Sequence, residues 1–352
     1  MSRSRWALMV VRQPGTANAF APLLRFLTPR LDCDWVVLAY PPARHILEDQ
    51  GIAALAVDSF GQALPSLQDR GAPRFTLTGT SFEARDDSLY WKWSHDQRRP
   101  ALAFVDQWVN YAERFQIDAQ GALPSHVLAI DEIAAKRLGE LPVASSRIVV
   151  TGSPAFDDLL AQFARQARSS HQCAVFATEP ITGPGGESAY RALHGFTDAD
   201  ALRAVLHALA QHAKASGSRW RLLVKPHPID SKARIEPVLR TVPNSSQVEV
   251  MLTDEQKAPL LGAADVVFGT RSMFLYEAAL LGLPAISVQP FRKTSSDLTD
   301  EHAGIVVITD PAQLAGAIPA ALKAPRLASR QTAVSCSRFL ELLRPLVEDG
   351  DG

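Results

Sequence analysis

The chain has 352 residues, enough for two domains at about 150 residues each. Hydrophobic residues make up 47% and charged ones 21%, the balance of an ordinary globular protein rather than a disordered or fibrous one. With 36 Lys and Arg against 37 Asp and Glu the formal net charge is -1, which gives no reason to expect a nucleic-acid partner. The three cysteines, Cys33, Cys173 and Cys336, lie far apart, so neither a disulfide framework nor a zinc site is expected and a cytoplasmic location fits. Trp6–Val11 is too short for a signal-peptide core, and no run approaches the ~20 apolar residues of a membrane span. Peripheral contact at the inner face of a membrane stays open, as does the oligomeric state.

In chain order, Trp6–Val11 reads as a buried strand. A turn with Gly15 and Asn18 follows, then helical spacing over Ala19–Leu27. A strand, a glycine turn and a helix start can receive an anion or a sugar, because the first helical N–H groups lack partners. Trp35–Tyr40, Ile52–Val57 and Phe75–Leu77 are further strands, and Glu83–Arg99 is a charged, aromatic helix holding Glu83 and Asp86. Ala101–Val105 ends in Asp106-Gln107-Trp108-Val109-Asn110-Tyr111. An acid, an amide and aromatic rings at one strand end suit a sugar, whose C–H faces stack on rings while its hydroxyls meet polar groups. His126–Ile130 and Arg147–Val150 complete the first half, with a helix capped by Asp131 between them. Strands alternating with helices at this spacing predict a parallel sheet. The boundaries read as 1–167, 168–330 and a terminal helix over 331–352 that packs back on the first domain, with Gln166–Gln172 as linker.

The second half opens with strand Cys173–Ala177, followed by Thr178-Glu179-Pro180 and a glycine-bearing loop, Gly183-Pro184-Gly185-Gly186. Asp198–Ala215 is an amphipathic helix. Leu222–Val224 ends in Lys225-Pro226-His227-Pro228; the two prolines stiffen the turn and hold His227 in one orientation. A later strand ends in Thr270-Arg271-Ser272 before the helix Met273–Leu281, which carries a lone acid, Glu277. Lys225, His227, Arg271 and the helix start at Ser272 suit a phosphate, and Glu277 suits ribose hydroxyls. No metal constellation, Walker loop or nucleophile elbow stands out, so no metal and no cofactor is expected.

Lys225-Pro226-His227-Pro228 together with Arg271-Ser272-Met273-Phe274-Leu275-Tyr276-Glu277-Ala278-Ala279-Leu280-Leu281-Gly282-Leu283-Pro284 resembles the donor domain of GT-B glycosyltransferases. The nearest likeness is to bacterial capsule-polysaccharide, polysialyl- and CDP-glycerol-type transferases. Thr151-Gly152-Ser153-Pro154-Ala155-Phe156-Asp157 resembles their segment entering the second domain, and the scaffold is also similar to UDP-N-acetylglucosamine 2-epimerases. The resemblance implies an α/β fold of two Rossmann-like, doubly wound parallel-sheet domains facing across a cleft. It implies an inverting, metal-independent glycosyltransferase that moves a sugar from a CMP- or UDP-activated donor to a glycan or lipid-linked acceptor, with a slight tilt toward CMP and an acidic sugar. Lys225, His227, Arg271, Ser272, Glu277, Thr178 and Ser153 would bind the donor. Asp106, or else Glu83 or Asp86, would be the base, and Gly15, Asn18, Trp108, Asn110 and Tyr111 would meet acceptor or sugar. The chain departs from the family in having Arg271-Ser272 where many relatives have two serines, and in lacking the arginine-histidine turn of the epimerases at Thr178-Glu179-Pro180. An epimerase or nucleotide-sugar hydrolase, and a non-catalytic nucleotide-sugar-binding protein, are the alternatives.

Overall fold

The computed structural model describes residues 5–81, 86–116, 121–164, 166, 171–179, 186–227, 232–240, 246–294, 298–302, 304–324 and 334–348. Glu83, residues 183–185 of the glycine-bearing loop, Pro228 and most of the expected linker lie outside them. The chain forms two compact units, one of Met1–Ala161 with Ala333–Gly352 and one of Gln162–Thr332.

The first unit holds β1 (Trp6–Val11), β2 (Asp34–Ala39), β3 (Leu55–Ala56), β4 (Thr76–Thr78), β5 (Ala101–Val105), β6 (His126–Ala129) and β7 (Arg147–Val150). They form one sheet in the order β3-β2-β1-β4-β5-β6-β7, parallel throughout. The second unit holds β8 (Gln172–Ala177), β9 (Trp220–Lys225), β10 (Val248–Leu252), β11 (Val266–Gly269), β12 (Ala285–Val288) and β13 (Ile305–Ile308). Their order is β10-β9-β8-β11-β12-β13, again parallel throughout. Every residue of β1, β5, β11 and β12 is buried, which is why these strands read as unbroken apolar runs: helices cover both sheet faces. Each unit has its own core, built around Leu8, Leu38, Tyr40 and Tyr90 in the first and Phe176, Leu206, Trp220 and Phe268 in the second.

The structure differs from the sequence reading where prolines or exposure blur the periodicity. The first helix begins at Pro14, so Gly15 and Asn18 lie inside it rather than in a turn. Proline at the first helical position has no N–H to lose and a backbone angle already suited to the helix. The helices Phe60–Arg70 and Lys232–Arg240, which contain Pro65 and Pro237, are not among the predicted elements. Between β9 and β11 the chain also inserts β10, an edge strand that exposes Glu249 and Met251 and so lacks an apolar run.

The terminal helix Ser335–Glu348 belongs to the first unit. Its Phe339 is fully buried and meets Phe104 of β5 edge-on, with ring centroids 5.7 Å apart. At its start, the Asp157 carboxylate accepts from Ser335 Oγ at 2.9 Å and from the Cys336 N–H at 3.2 Å. Gly152, at φ 78°, makes room for this clamp: a Cβ there would press into Ser335 Oγ. Asp157→Ala removes both bonds and is expected to lower stability by about 1–3 kcal/mol. Hydrogen exchange over residues 335–348 should quicken. An unchanged melting temperature with unchanged exchange would show the clamp to be idle.

Candidate functional site

In an open parallel sheet the helices change sides where the strand order reverses, and the carboxyl ends there splay into a crevice. In the second unit this point lies between β8 and β11. The residues leaving β8 are Thr178 and Glu179; those leaving β11 are Thr270, Arg271 and Ser272. Thr270 Oγ1 donates to Glu179 Oε2 at 2.5 Å, across the crevice, and Arg271 Nε lies 3.9 Å from the same oxygen. Both side chains of this ion pair are 25% exposed. Arg271 is oriented from its other side by Tyr190, whose hydroxyl meets Nη2, and by His194, whose Nδ1 is 3.4 Å from Nη1. Ser272 caps the helix Met273–Leu280, its side chain accepting from the Phe274 N–H at 3.3 Å.

The turn after β9 joins this crevice through Thr178. The Thr178 N–H donates to Lys225 O at 3.1 Å, and Thr178 Oγ1 accepts from the His227 N–H at 2.9 Å. Lys225 Nζ donates to Glu255 O at 2.7 Å. Burial first, and the nearby Lys257 second, push the Lys225 ammonium below the usual lysine range. Lys257 donates to Glu277 Oε1 at 2.6 Å. The other oxygen of Glu277, Oε2, is buried without a hydrogen-bond partner among the described residues. Lys257 thus links the Glu277 carboxylate, with its unsatisfied oxygen, on one side to Lys225 on the other, with Asp254 and Glu255 also near Lys225. The lysines favour an anion, and the oxygen favours a hydroxyl donor.

The corresponding crevice of the first unit, between β1 and β4, is filled. Asp106, at the end of β5, reaches toward it and pairs with Arg114 Nη1 at 3.1 Å, with side chains 4% and 3% exposed. Arg114 Nη1 also donates to Thr80 O at 2.7 Å and Thr80 Oγ1 at 3.0 Å. A Cβ on Gly15 would collide with Asp106 Oδ2, so glycine is needed there for the close approach of the carboxylate, not for a turn. Burial raises the Asp106 pKa and Arg114 opposes the rise. Asp106, the first base candidate, lies inside the unit paired with Arg114.

More open chemistry in the first unit stands at Arg12, just after β1. Its guanidinium covers the Tyr40 ring, 3.6 Å from the centroid. Its Nη2 is 3.3 Å from Asp86 and its Nε 3.9 Å from Asp87. Asp87 also accepts from the Ser81 N–H at 2.9 Å. Burial raises Asp87 to about 6, against the pull of Arg12.

Other expected residues are dispersed. Trp108 is 4% exposed, donates to Asp131 at 2.6 Å and stacks on Phe156, so its face is closed to a sugar. Asn18 and Asn110 are exposed, and Tyr111 is half-buried. Ser153 is buried in the first unit, not the second, because the segment Thr151–Asp157 closes that unit and clamps the terminal helix. Sequence reasoning passed over Glu179, Tyr190, Lys257, Arg12 and Arg114. Of these, Glu179 and Arg12 carry a legible signal, a charge directly after an apolar strand. Among the described residues, no group of three or more His, Cys, Asp or Glu gathers as a metal site, and no helix is long and apolar enough to cross a membrane.

No family model and no curated protein matches the sequence. Solved structures do match across nearly the whole chain. The UDP-GlcNAc 2-epimerase from Neisseria meningitidis bound to UDP-GlcNAc aligns over 96% of this chain and 99% of its own, with TM-score 0.65 and 13% identity. HepE of Anabaena in complex with UDP-glucose aligns over 97% and 98%, with TM-score 0.57 and 13% identity. CalG4, the calicheamicin glycosyltransferase, aligns over 99% and 95%, with TM-score 0.54 and 13% identity. At such identities the likeness defines the fold: two Rossmann-like parallel-sheet domains of the GT-B type.

Two substitutions separate structural from chemical roles in the first unit. Asp106→Ala strands the buried Arg114 charge and is expected to cost about 3–5 kcal/mol in urea unfolding; a loss below about 1 kcal/mol would contradict the pairing. Asp87 binds its proton more tightly folded, at about 6, than at its ordinary 3.8. Its contribution to stability is therefore full below about pH 4 and is lost as pH rises through about 6. Relative to Asp87→Asn, the native chain should lose stability across that window, read from urea midpoints; parallel pH profiles would refute it.

Proposed function

We propose that this chain is a nucleotide-sugar enzyme, and within that class an inverting glycosyltransferase that passes a sugar from a CMP- or UDP-activated donor to a glycan or other surface-polysaccharide acceptor. The observation that carries the reading is the buried, unsatisfied Glu277 Oε2; the other oxygen of that carboxylate accepts from Lys257, which in turn lies near Lys225. A nucleotide offers what this group lacks: ribose hydroxyls for the carboxylate and a phosphate for the ammonium groups. The solved structures of like fold, which include complexes with UDP-GlcNAc and UDP-glucose, support the same class.

In this reading the donor's phosphate lies against Lys225, His227 and the start of the helix at Ser272, where unpaired N–H groups add to the positive field. The acceptor hydroxyl loses its proton to a carboxylate, its oxygen attacks the anomeric carbon, and the bond to the phosphate oxygen breaks. Charge gathering on the leaving phosphate is then met by Lys225 and His227 without a resident metal or cofactor. For the base we assign Asp86, 32% exposed beside Arg12, ahead of the enclosed Asp106. The second reading is an epimerase acting on UDP-N-acetylglucosamine alone, favoured by the likeness of backbone to such enzymes.

Thermal-shift titration with CMP, CDP, UDP and GDP tests the site, since a bound nucleotide raises the melting temperature. The best nucleotide should lose about tenfold or more in affinity on Lys225→Ala or Glu277→Gln, while Asp86→Asn keeps the affinity and loses transfer. No shift with any nucleotide would end the proposal. Conversion of UDP-N-acetylglucosamine without an acceptor would select the epimerase reading.

A further inference from the structure

The carboxylate of Glu179 has no part in the scheme above, yet it stands in the crevice between β8 and β11, where a ligand of an open parallel sheet is expected. It is a built feature. Arg234 Nη2 donates to Glu179 O at 3.3 Å. Arg234 is itself fixed by the buried Asp198 through two bonds of 2.6 and 2.7 Å. The Glu179 side chain is bonded to Thr270 Oγ1 and faces Arg271, and Arg271 cannot swing aside without leaving Tyr190 and His194.

The Thr178 hydroxyl accepts from the His227 N–H, so Glu179, the next residue after Thr178, leaves β8 beside the turn proposed to hold the phosphate. A group linked to that phosphate next meets Glu179. An acidic group arriving there must either face the Glu179 carboxylate or displace it from both Thr270 and Arg271. A hydroxyl can donate to the same carboxylate with no rearrangement. Resting on the nucleotide-sugar reading, we propose that Glu179 selects the sugar of the donor: a hydroxyl-rich sugar without an acidic group binds, and a carboxylate-bearing sugar is rejected. This reverses the tilt toward an acidic sugar that the sequence resemblance implies.

UDP-glucose and UDP-glucuronate differ by one carboxylate on the same nucleotide, and calorimetry of the full chain with UDP and each of them isolates it. The native chain should bind UDP-glucose about tenfold tighter than UDP-glucuronate. Glu179→Gln should bring the two within about threefold and leave UDP within about twofold. Glu179→Asp, which keeps the charge, should keep the discrimination. Should Glu179→Gln not fold, the native chain answers through salt: raising NaCl from about 50 to 500 mM should narrow the ratio, because ions screen the repulsion. CMP and CMP-N-acetylneuraminate extend the comparison if CMP is the preferred nucleotide, with the sugar expected to weaken binding relative to CMP. A native preference for the acidic sugar overturns the inference, as does a ratio that neither Glu179→Gln nor salt changes; both leave the nucleotide-sugar reading standing. Failure of UDP and CMP alike to bind would remove that reading and the inference with it.

Discussion

The chemistry of this chain depends on one topological constraint, the reversal of strand order beside the first strand of each sheet. β1 is flanked by β2 and β4, and β8 by β9 and β11, so in both units consecutive segments leave a central strand toward opposite edges. The gap at the carboxyl ends is unavoidable once the connections are right-handed, and the backbone alone would leave it lined with unpaired N–H groups. What differs between the units is the side chains that enter it. In the first, Asp106 and Arg114 close the gap as an enclosed pair, with Gly15 yielding the room for it. In the second, Glu179 and Arg271 bridge it at the surface, and both keep contact with water.

That difference has an electrostatic consequence. A pair nearly excluded from water is costly to break, since either partner left alone is a buried charge. A pair with a quarter of its surface exposed keeps both charges partly solvated, so it costs less to stay ionised. One fold thus supplies a crevice closed by an enclosed ion pair and another bridged by a partly exposed one, and the distinction lies in burial rather than in residue type. The same contrast separates the pair of Lys257 and Glu277 from the surface pairs elsewhere: they meet where one carboxylate oxygen is fully enclosed.

Much of this was legible in the sequence. Strands buried on both faces announce themselves as apolar runs, so β1, β5 and β11 could be placed closely, and with β11 the turn bearing Arg271. Segments whose pattern is diluted were harder to read. β10 alternates toward solvent, and Pro65 and Pro237 sit inside helices that the packing of neighbouring elements sustains. The site was legible in its residue types but not in its partnerships. Asp106 looks like an exposed acid at a strand end until Arg114, eight residues on, is seen to return to it. Glu179 looks like a turn residue until β11, more than eighty residues later, brings Thr270 against it. Periodicity reports which face a residue occupies; only tertiary pairing tells whether a charge there is neutralised.

The return of the terminal helix to the first unit has a consequence for the order of assembly on the ribosome. Phe339, which fills the space beside Phe104, and Ser335, which meets Asp157, are translated only after the whole of the second unit. The second unit, contiguous in sequence, has all its strands as soon as β13 emerges, whereas the first must wait with the face that receives Phe339 uncovered. The half of the chain made first is therefore the last to be complete, and synthesis that halts before residue 335 leaves that apolar face bare to chaperones and to other nascent chains.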